Sequence, residues 1–127
     1  MPGKTIGEKL MLKPGQTLLL VKPPVGYDKS LGALPKETRL VKATSGKVDV
    51  IQAFARSKTD LQTTLPKLRG MVNPAGMIWM TYPKGTSKIK SDINRDSIRE
   101  YTLGVGLETV ALIAVDDDWS AIRCKVA

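Results

Sequence analysis

At 127 residues the chain has the length of one domain, 42% hydrophobic and 25% charged, the balance of an ordinary globule able to bury about two-thirds of the surface its unfolded form exposes. No apolar run approaches the roughly 20 residues of a membrane span, and the lack of histidine, with a single cysteine, removes the commonest general base and argues against a zinc site. The net charge of +8 raises the question of nucleic acid, but the 20 Lys and Arg are scattered and few aromatic residues accompany them, so that reading ranks last.

In chain order, the apolar patch at 10–12 is broken by Lys13-Pro14-Gly15 and lacks the shape of a signal peptide, which places the protein in the cytoplasm as an expectation. Thr5 is positioned to cap a short helix running to about Leu12, with Glu8 completing a capping box. Residues 17–22, Thr-Leu-Leu-Leu-Val-Lys, then form a continuous apolar run, the pattern of a strand covered on both faces. A loop through Pro23-Pro24-Val25-Gly26-Tyr27 leads to a short helix over 28–34, ended by Pro35, and to a weak strand near 38–41.

That weak strand meets a length constraint. A parallel crossover normally takes a dozen or more residues, whereas 42–47 supplies six before the next apolar run. The spacing therefore predicts either a short edge strand, the favoured reading, with 42–47 extended beneath the sheet, or a strand that pairs antiparallel.

Residues 48–82 read as one βαβ unit. Its first strand is 48–54, its helix is capped by Ser57 or Thr59, and Leu61, Leu65, Leu68 and Val72 make one apolar stripe on that helix. Pro66 breaks a local rule, because it removes a helical hydrogen bond. Asn73-Pro74-Ala75-Gly76 is read as the turn into a third central strand over 77–82. A mobile basic loop over 83–90 follows, then a helix capped by Asp92 and running to about Leu103, closed by Gly104 or Gly106. A strand over 107–115, a turn at Asp116-Asp117-Asp118-Trp119 and a final antiparallel strand over 121–126 complete the chain, with Cys124 expected as a buried thiol. The result is a single three-layer α/β domain.

Three stretches, Val48-Asp49-Val50-Ile51, Leu68-Arg69-Gly70-Met71-Val72-Asn73-Pro74-Ala75-Gly76 and Gly106-Leu107-Glu108-Thr109-Val110, resemble the C-terminal half of the S-adenosylmethionine-dependent methyltransferases. The whole chain is also similar to a family of small bacterial proteins catalogued only as a domain of unknown function. That likeness rests on Lys13-Pro14-Gly15, Pro24-Val25-Gly26-Tyr27, Leu34-Pro35, Trp79 with Tyr82-Pro83-Lys84, Asp92-Ile93 and Trp119-Ser120. Both resemblances imply a methyltransferase-like fold, a three-layer Rossmann-like sandwich with a mostly parallel sheet of order 2-1-3-4-6-5 and the last strand antiparallel beside the third central one, and neither implies an established activity for this chain.

Against the methyltransferase pattern, the first strand opens into Pro23-Pro24 where a glycine-rich turn would let the backbone approach a cofactor. Near the end of the second strand stand Arg39 and Lys42, where an acid would hold ribose hydroxyls. No cofactor is expected, and no catalytic residue stands out: Ser57, Ser87 and Ser120 lack a histidine to activate them.

In open α/β sheets ligands bind beyond the carboxyl ends of the strands. The predicted topology gathers Lys22, Tyr27, Arg56, Ser57, Tyr82, Lys84, Ser87, Asp116 and Trp119 on that rim. Lys22, Arg56 and Lys84 would hold a small anionic ligand or a partner protein, flanked by Tyr27 and Trp119, in a non-catalytic binding or regulatory module. The plainer alternative has Lys84 paired with Asp116 and Trp119 covering the sheet end. A minimal enzyme working at the same rim is the second functional reading, and a non-specific nucleic-acid binder the third.

Overall fold

The computed structural model describes residues 6–31, 34, 36–42, 46–84, 91–116 and 118–126. Among the described residues ten elements follow one another: α1 (Ile6–Lys9), β1 (Thr17–Val21), α2 (Tyr27–Ser30), β2 (Arg39–Val41), β3 (Val48–Phe54), α3 (Lys58–Arg69), β4 (Val72–Pro83), α4 (Arg95–Gly104), β5 (Leu107–Ala114) and β6 (Trp119–Val126). They build a six-stranded sheet of order β2-β1-β3-β4-β6-β5, as the sequence predicts. The pairings β1·β2, β1·β3 and β3·β4 are parallel, while β6 alone is reversed and pairs antiparallel with both β4 and β5.

Alternation along the central strands divides the core between the two faces. Leu18, Leu20, Val50, Phe54 and Trp79 join Ile6, Leu10, Tyr27 and Leu31 on the face of α1 and α2. Leu19, Ile51, Ala53, Ile78 and Met80 join Leu61, Leu65, Leu68 and Ile98 on the face of α3 and α4. The domain thus has three layers.

Of the expectations for the weak strand, the short parallel edge strand is found, while the path of 43–45 lies outside the described residues. β2 is a three-residue edge strand, parallel to β1 from Thr17↔Arg39 to Leu19↔Val41.

Several boundaries differ from the sequence reading, each for a local reason. The first strand stops at Val21 because Lys22 turns left-handed, with φ 54°. The helix read over 28–34 is the single turn Tyr27–Ser30, and Thr5, the proposed cap of α1, lies outside the described residues. Of the two candidate caps for α3, Ser57 is the one used: its hydroxyl oxygen accepts from the Asp60 amide at 3.1 Å. Val72 belongs to β4 rather than to the helix.

The Asn-Pro-Ala-Gly stretch is not a turn before the third central strand. It is a bulge inside β4, where the pairs Val48↔Val72 and Val50↔Met77 oppose unequal lengths of chain. Asp49 holds it. One carboxylate oxygen accepts from the Asn73 side-chain amide at 3.0 Å and the other from the Thr17 main-chain amide at 2.9 Å, tying the starts of β1, β3 and β4 together.

α4 is capped by Asn94, not Asp92. The Asn94 side chain accepts from the Ser97 amide and the Ser97 hydroxyl accepts from the Asn94 amide, both at 2.9 Å, a reciprocal capping box. Asp92 instead accepts from the Lys58 amide at 2.7 Å, so its charge sits at the N-terminus of α3.

Pro66 lies inside α3 as read, and it leaves the Gln62 carbonyl without its helical donor. The Tyr101 hydroxyl from α4 donates to that carbonyl at 3.3 Å. A proline that weakens the helix therefore provides the acceptor that joins it to α4.

Candidate functional site

The parallel strands β1, β3 and β4 end side by side, about 5 Å apart in the hydrogen-bonding direction. β5 ends at the same edge of the sheet and β6 begins there. The predicted rim therefore exists as an edge, and the side chains on it divide into three groups.

The first group is aromatic and buried. Beyond Val21 the chain passes through left-handed Lys22, Pro23, Pro24 and left-handed Gly26 (φ 79°). The Tyr27 amide donates to the Pro24 carbonyl at 3.1 Å, which turns Tyr27 inward at the start of α2. Its ring meets Phe54 edge-on at 4.6 Å, and Phe54 meets Trp119 edge-on at 5.1 Å. Tyr27 and Trp119 are only 4% exposed, so both close the sheet end rather than flank an open site. The Arg56 guanidinium lies over the Trp119 ring, 5.6 Å from its centroid.

Beneath this stack, neither the Tyr27 hydroxyl nor Gln52 Oε1 completes a hydrogen bond. Burial pushes the Tyr27 phenol well above its ordinary range; Gln52 beside it works in the opposite direction, and the charge of Asp116 adds to the rise. Gln52 donates its Nε2–H to the buried Thr81 hydroxyl at 3.3 Å.

Asp60 organises the second group, and the sequence reading did not single it out. Its carboxylate accepts from the Arg56 amide at 3.1 Å and lies 3.9 Å from Lys22 Nζ. The spacing Ser57-x-x-Asp60 was the available signal, since it is that of a capping pair. The Ser57 hydroxyl is committed as the cap of α3.

The third group lies at the β5–β6 turn. Asp116 accepts from the main-chain amides of Asp118, at 2.8 Å, and Trp119, at 2.9 Å, so its carboxylate shapes the turn. The Lys84 main-chain amide donates to the Asp118 carbonyl at 2.8 Å. Lys84 thus meets this turn through its backbone, where a pairing of its side chain with Asp116 was the plainer expectation.

Tyr82 stands near the end of β4, but its side chain is buried rather than open at the rim. It shares the face of Ile78 and Met80, packs in the core beneath α4, and is 7% exposed. Burial raises its phenol, with Arg95 and the Ser120 hydroxyl acting against the rise and Asp96 with it. Ser87 lies outside the described residues. Cys124 is buried in β6, and desolvation pushes its thiol up to about 12, leaving an inert core sulfur. Among the described residues no three His, Cys, Asp or Glu side chains gather as a metal would require, and no helix is long and apolar enough to cross a membrane.

No protein-family model matches the chain, and no curated protein does. The likeness to the small bacterial family therefore rests on the hallmark residues alone. Solved structures do match. A TehB-like SAM-dependent methyltransferase from Corynebacterium glutamicum superimposes with a TM-score of 0.63 at 12% identity, over 97% of this chain and 88% of that one. A SAM-dependent methyltransferase from Aquifex aeolicus gives 0.62 at 14% identity, over 94% and 87% of the two chains. The ribosomal protein L11 methylase from Lactobacillus delbrueckii subsp. bulgaricus gives 0.61 at 14%, over 95% and 74%. The protein has the methyltransferase-like fold, and identities this low carry the fold alone.

Proposed function

We propose that the chain is a non-catalytic binding module on a methyltransferase-like scaffold, holding a small anionic ligand or an acidic group of a partner at the strand-terminal rim. The observation that carries this reading is the buried stack Tyr27–Phe54–Trp119, which fills the sheet end with the protein's own side chains.

The chemistry around the stack supports it. Pro23 and Pro24 offer no N–H groups to a phosphate or carboxylate, so a glycine-loop mode of binding is closed to this chain. Arg39 and Lys42 stand where the fold's enzymes would carry a ribose-binding acid. Lys22, Arg56 and Lys84 follow the ends of β1, β3 and β4, three strands that are neighbours in the sheet. Arg56 is held over Trp119, with its amide fixed by Asp60. A guanidinium held over Trp119, with Lys22 and Lys84 following the two neighbouring strand ends, gives this edge a basic character that suits an anion.

Pyrophosphate is the probe. Its titration, followed by amide chemical shifts, is expected to saturate with the largest changes at Lys22, Arg56 and Lys84. Arg56→Gln should weaken it by about tenfold, the scale of one charge-assisted hydrogen bond. Changes no larger at the rim than at the exposed Lys29, Lys36 and Lys47 would remove the rim from the account.

A further inference from the structure

The face of the sheet that carries α3 is only partly roofed. The β3-to-β4 connection places α3 on that face, and β3 lies from β2 in the same direction in which β4 lies from β3, with β1 between β2 and β3. Right-handed crossovers that run in the same direction belong on the same face, so a helix joining β2 to β3 would lie beside α3. The chain gives that connection only six residues, 42–47, and has no room for a helix.

What remains is a groove of about 410 Å³ between β1, β2 and α3. Leu19, Val21, Leu68 and Met71 give it an apolar floor, and Val21, Val41 and Met71 are only partly covered. Lys22, Lys42 and Lys67 stand around it, and among the described residues no acidic one lines it. Lys22 is 55% exposed and meets Asp60 only at 3.9 Å.

We infer that this groove docks an acidic amphipathic helix of a partner protein, laid where a crossover helix would have covered β1 and β2. Topology supplies the shape, because the uncovered strip is the place of a helix against a sheet. The lining supplies the chemistry: an apolar strip takes anchors at i, i+3, i+4 and i+7, and three lysines around it select glutamate or aspartate on the flanks of that stripe. Nucleic acid fits less well, because among the described residues no aromatic side chain lines the groove for a base to stack on.

The test is selection of binding peptides from a displayed library of helical sequences with randomised faces, using the full chain as target. Selected peptides are expected to converge on an apolar i, i+3, i+4, i+7 stripe flanked by Asp and Glu, and to shift the amides of Leu19, Val21, Thr64 and Met71. By fluorescence anisotropy, the double variant Lys42→Glu/Lys67→Glu, at two exposed positions, should bind a selected peptide at least about tenfold more weakly. It should also gain affinity for the same peptide with Lys in place of Glu, a rescue that an unfolded variant could not give. Arg56→Gln should leave the peptide affinity unchanged, which separates this docking face from the proposed anion rim. Selected peptides without acidic enrichment, shifts confined to the strand ends, or indifference to the double variant would overturn the proposal. So would saturable binding of dodecanoate in the groove with no peptide selected, or a dimer in sedimentation that the double variant dissociates.

Discussion

Leu20→Ala is expected to lower the unfolding free energy by about 2 to 5 kcal/mol, the range for truncating a large aliphatic side chain in a close-packed core. Leu20 lies near the end of β1, paired in register with Gln52 of β3, and is 1% exposed. Its surroundings are large and interlocked: Tyr27, Phe54, Trp79 and Trp119 share its cluster, and the Trp79 indole is fixed by donating to the Leu10 carbonyl at 3.0 Å. Walls of that kind relax little into a cavity, which favours the upper half of the range. Urea unfolding measures it. A loss below about 1 kcal/mol would contradict a central position for β1.

Gly76→Ala should cost about 3 kcal/mol, at the upper end for overpacking, because the added methyl meets backbone rather than a flexible side chain. A Cβ at Gly76 would collide with the Asp49 carbonyl oxygen and come within 2.8 Å of Val72 Cγ2 and 3.1 Å of the Asn73 carbonyl oxygen. Relief requires opening the β4 bulge, and Asp49 pins that bulge through Asn73. Gly104→Ala is the control: nothing lies within 4 Å of a Cβ there, and Gly104 is the last residue of α4. Alanine at that position should be neutral or stabilise by up to about 1 kcal/mol. Equal effects at the two glycines in denaturant melts would show that the bulge is not tightly packed.

These two positions also mark what could be read from the sequence. Leu20 sits in a run of apolar residues too continuous for a one-sided strand, and the six residues of 42–47 left no room for a crossover helix. The edge strand followed from run length and connection length, while the place of the last strand in the sheet followed from the resemblance to the methyltransferases. Gly76 was visible as a turn residue, yet its role in a bulge depends on Asp49, 27 residues earlier in the chain, whose two carboxylate oxygens reach Thr17 and Asn73. No local pattern encodes such a contact.

The candidate site divides in the same way. That Lys22, Arg56, Lys84, Asp116 and Trp119 follow strand ends was legible, because topology sets which ends are neighbours. That Tyr27 turns inward depends on the left-handed Gly26 and on the Phe54 ring it meets, and the burial of Tyr82 depends on α4 closing over its face of β4. Asp92 and Asn94 were exchanged because both have capping side chains two residues apart, and only the tertiary position of the α3 N-terminus draws Asp92 away.

The most direct test of the central claim, a methyltransferase-like scaffold working as a binding module without that chemistry, is a thermal melt of the full chain with S-adenosylmethionine. A ligand at about 100 times its dissociation constant stabilises the native state by about 2.7 kcal/mol. For a domain of this size that would raise the midpoint by roughly 8 to 15 °C. The midpoint is expected to stay unchanged at millimolar S-adenosylmethionine, because Tyr27, Phe54 and Trp119 fill the sheet end and Pro23-Pro24 offers no amide donors. A reproducible rise of several degrees that disappears in Lys22→Ala would contradict it and make the rim a cofactor site with an unusual first loop.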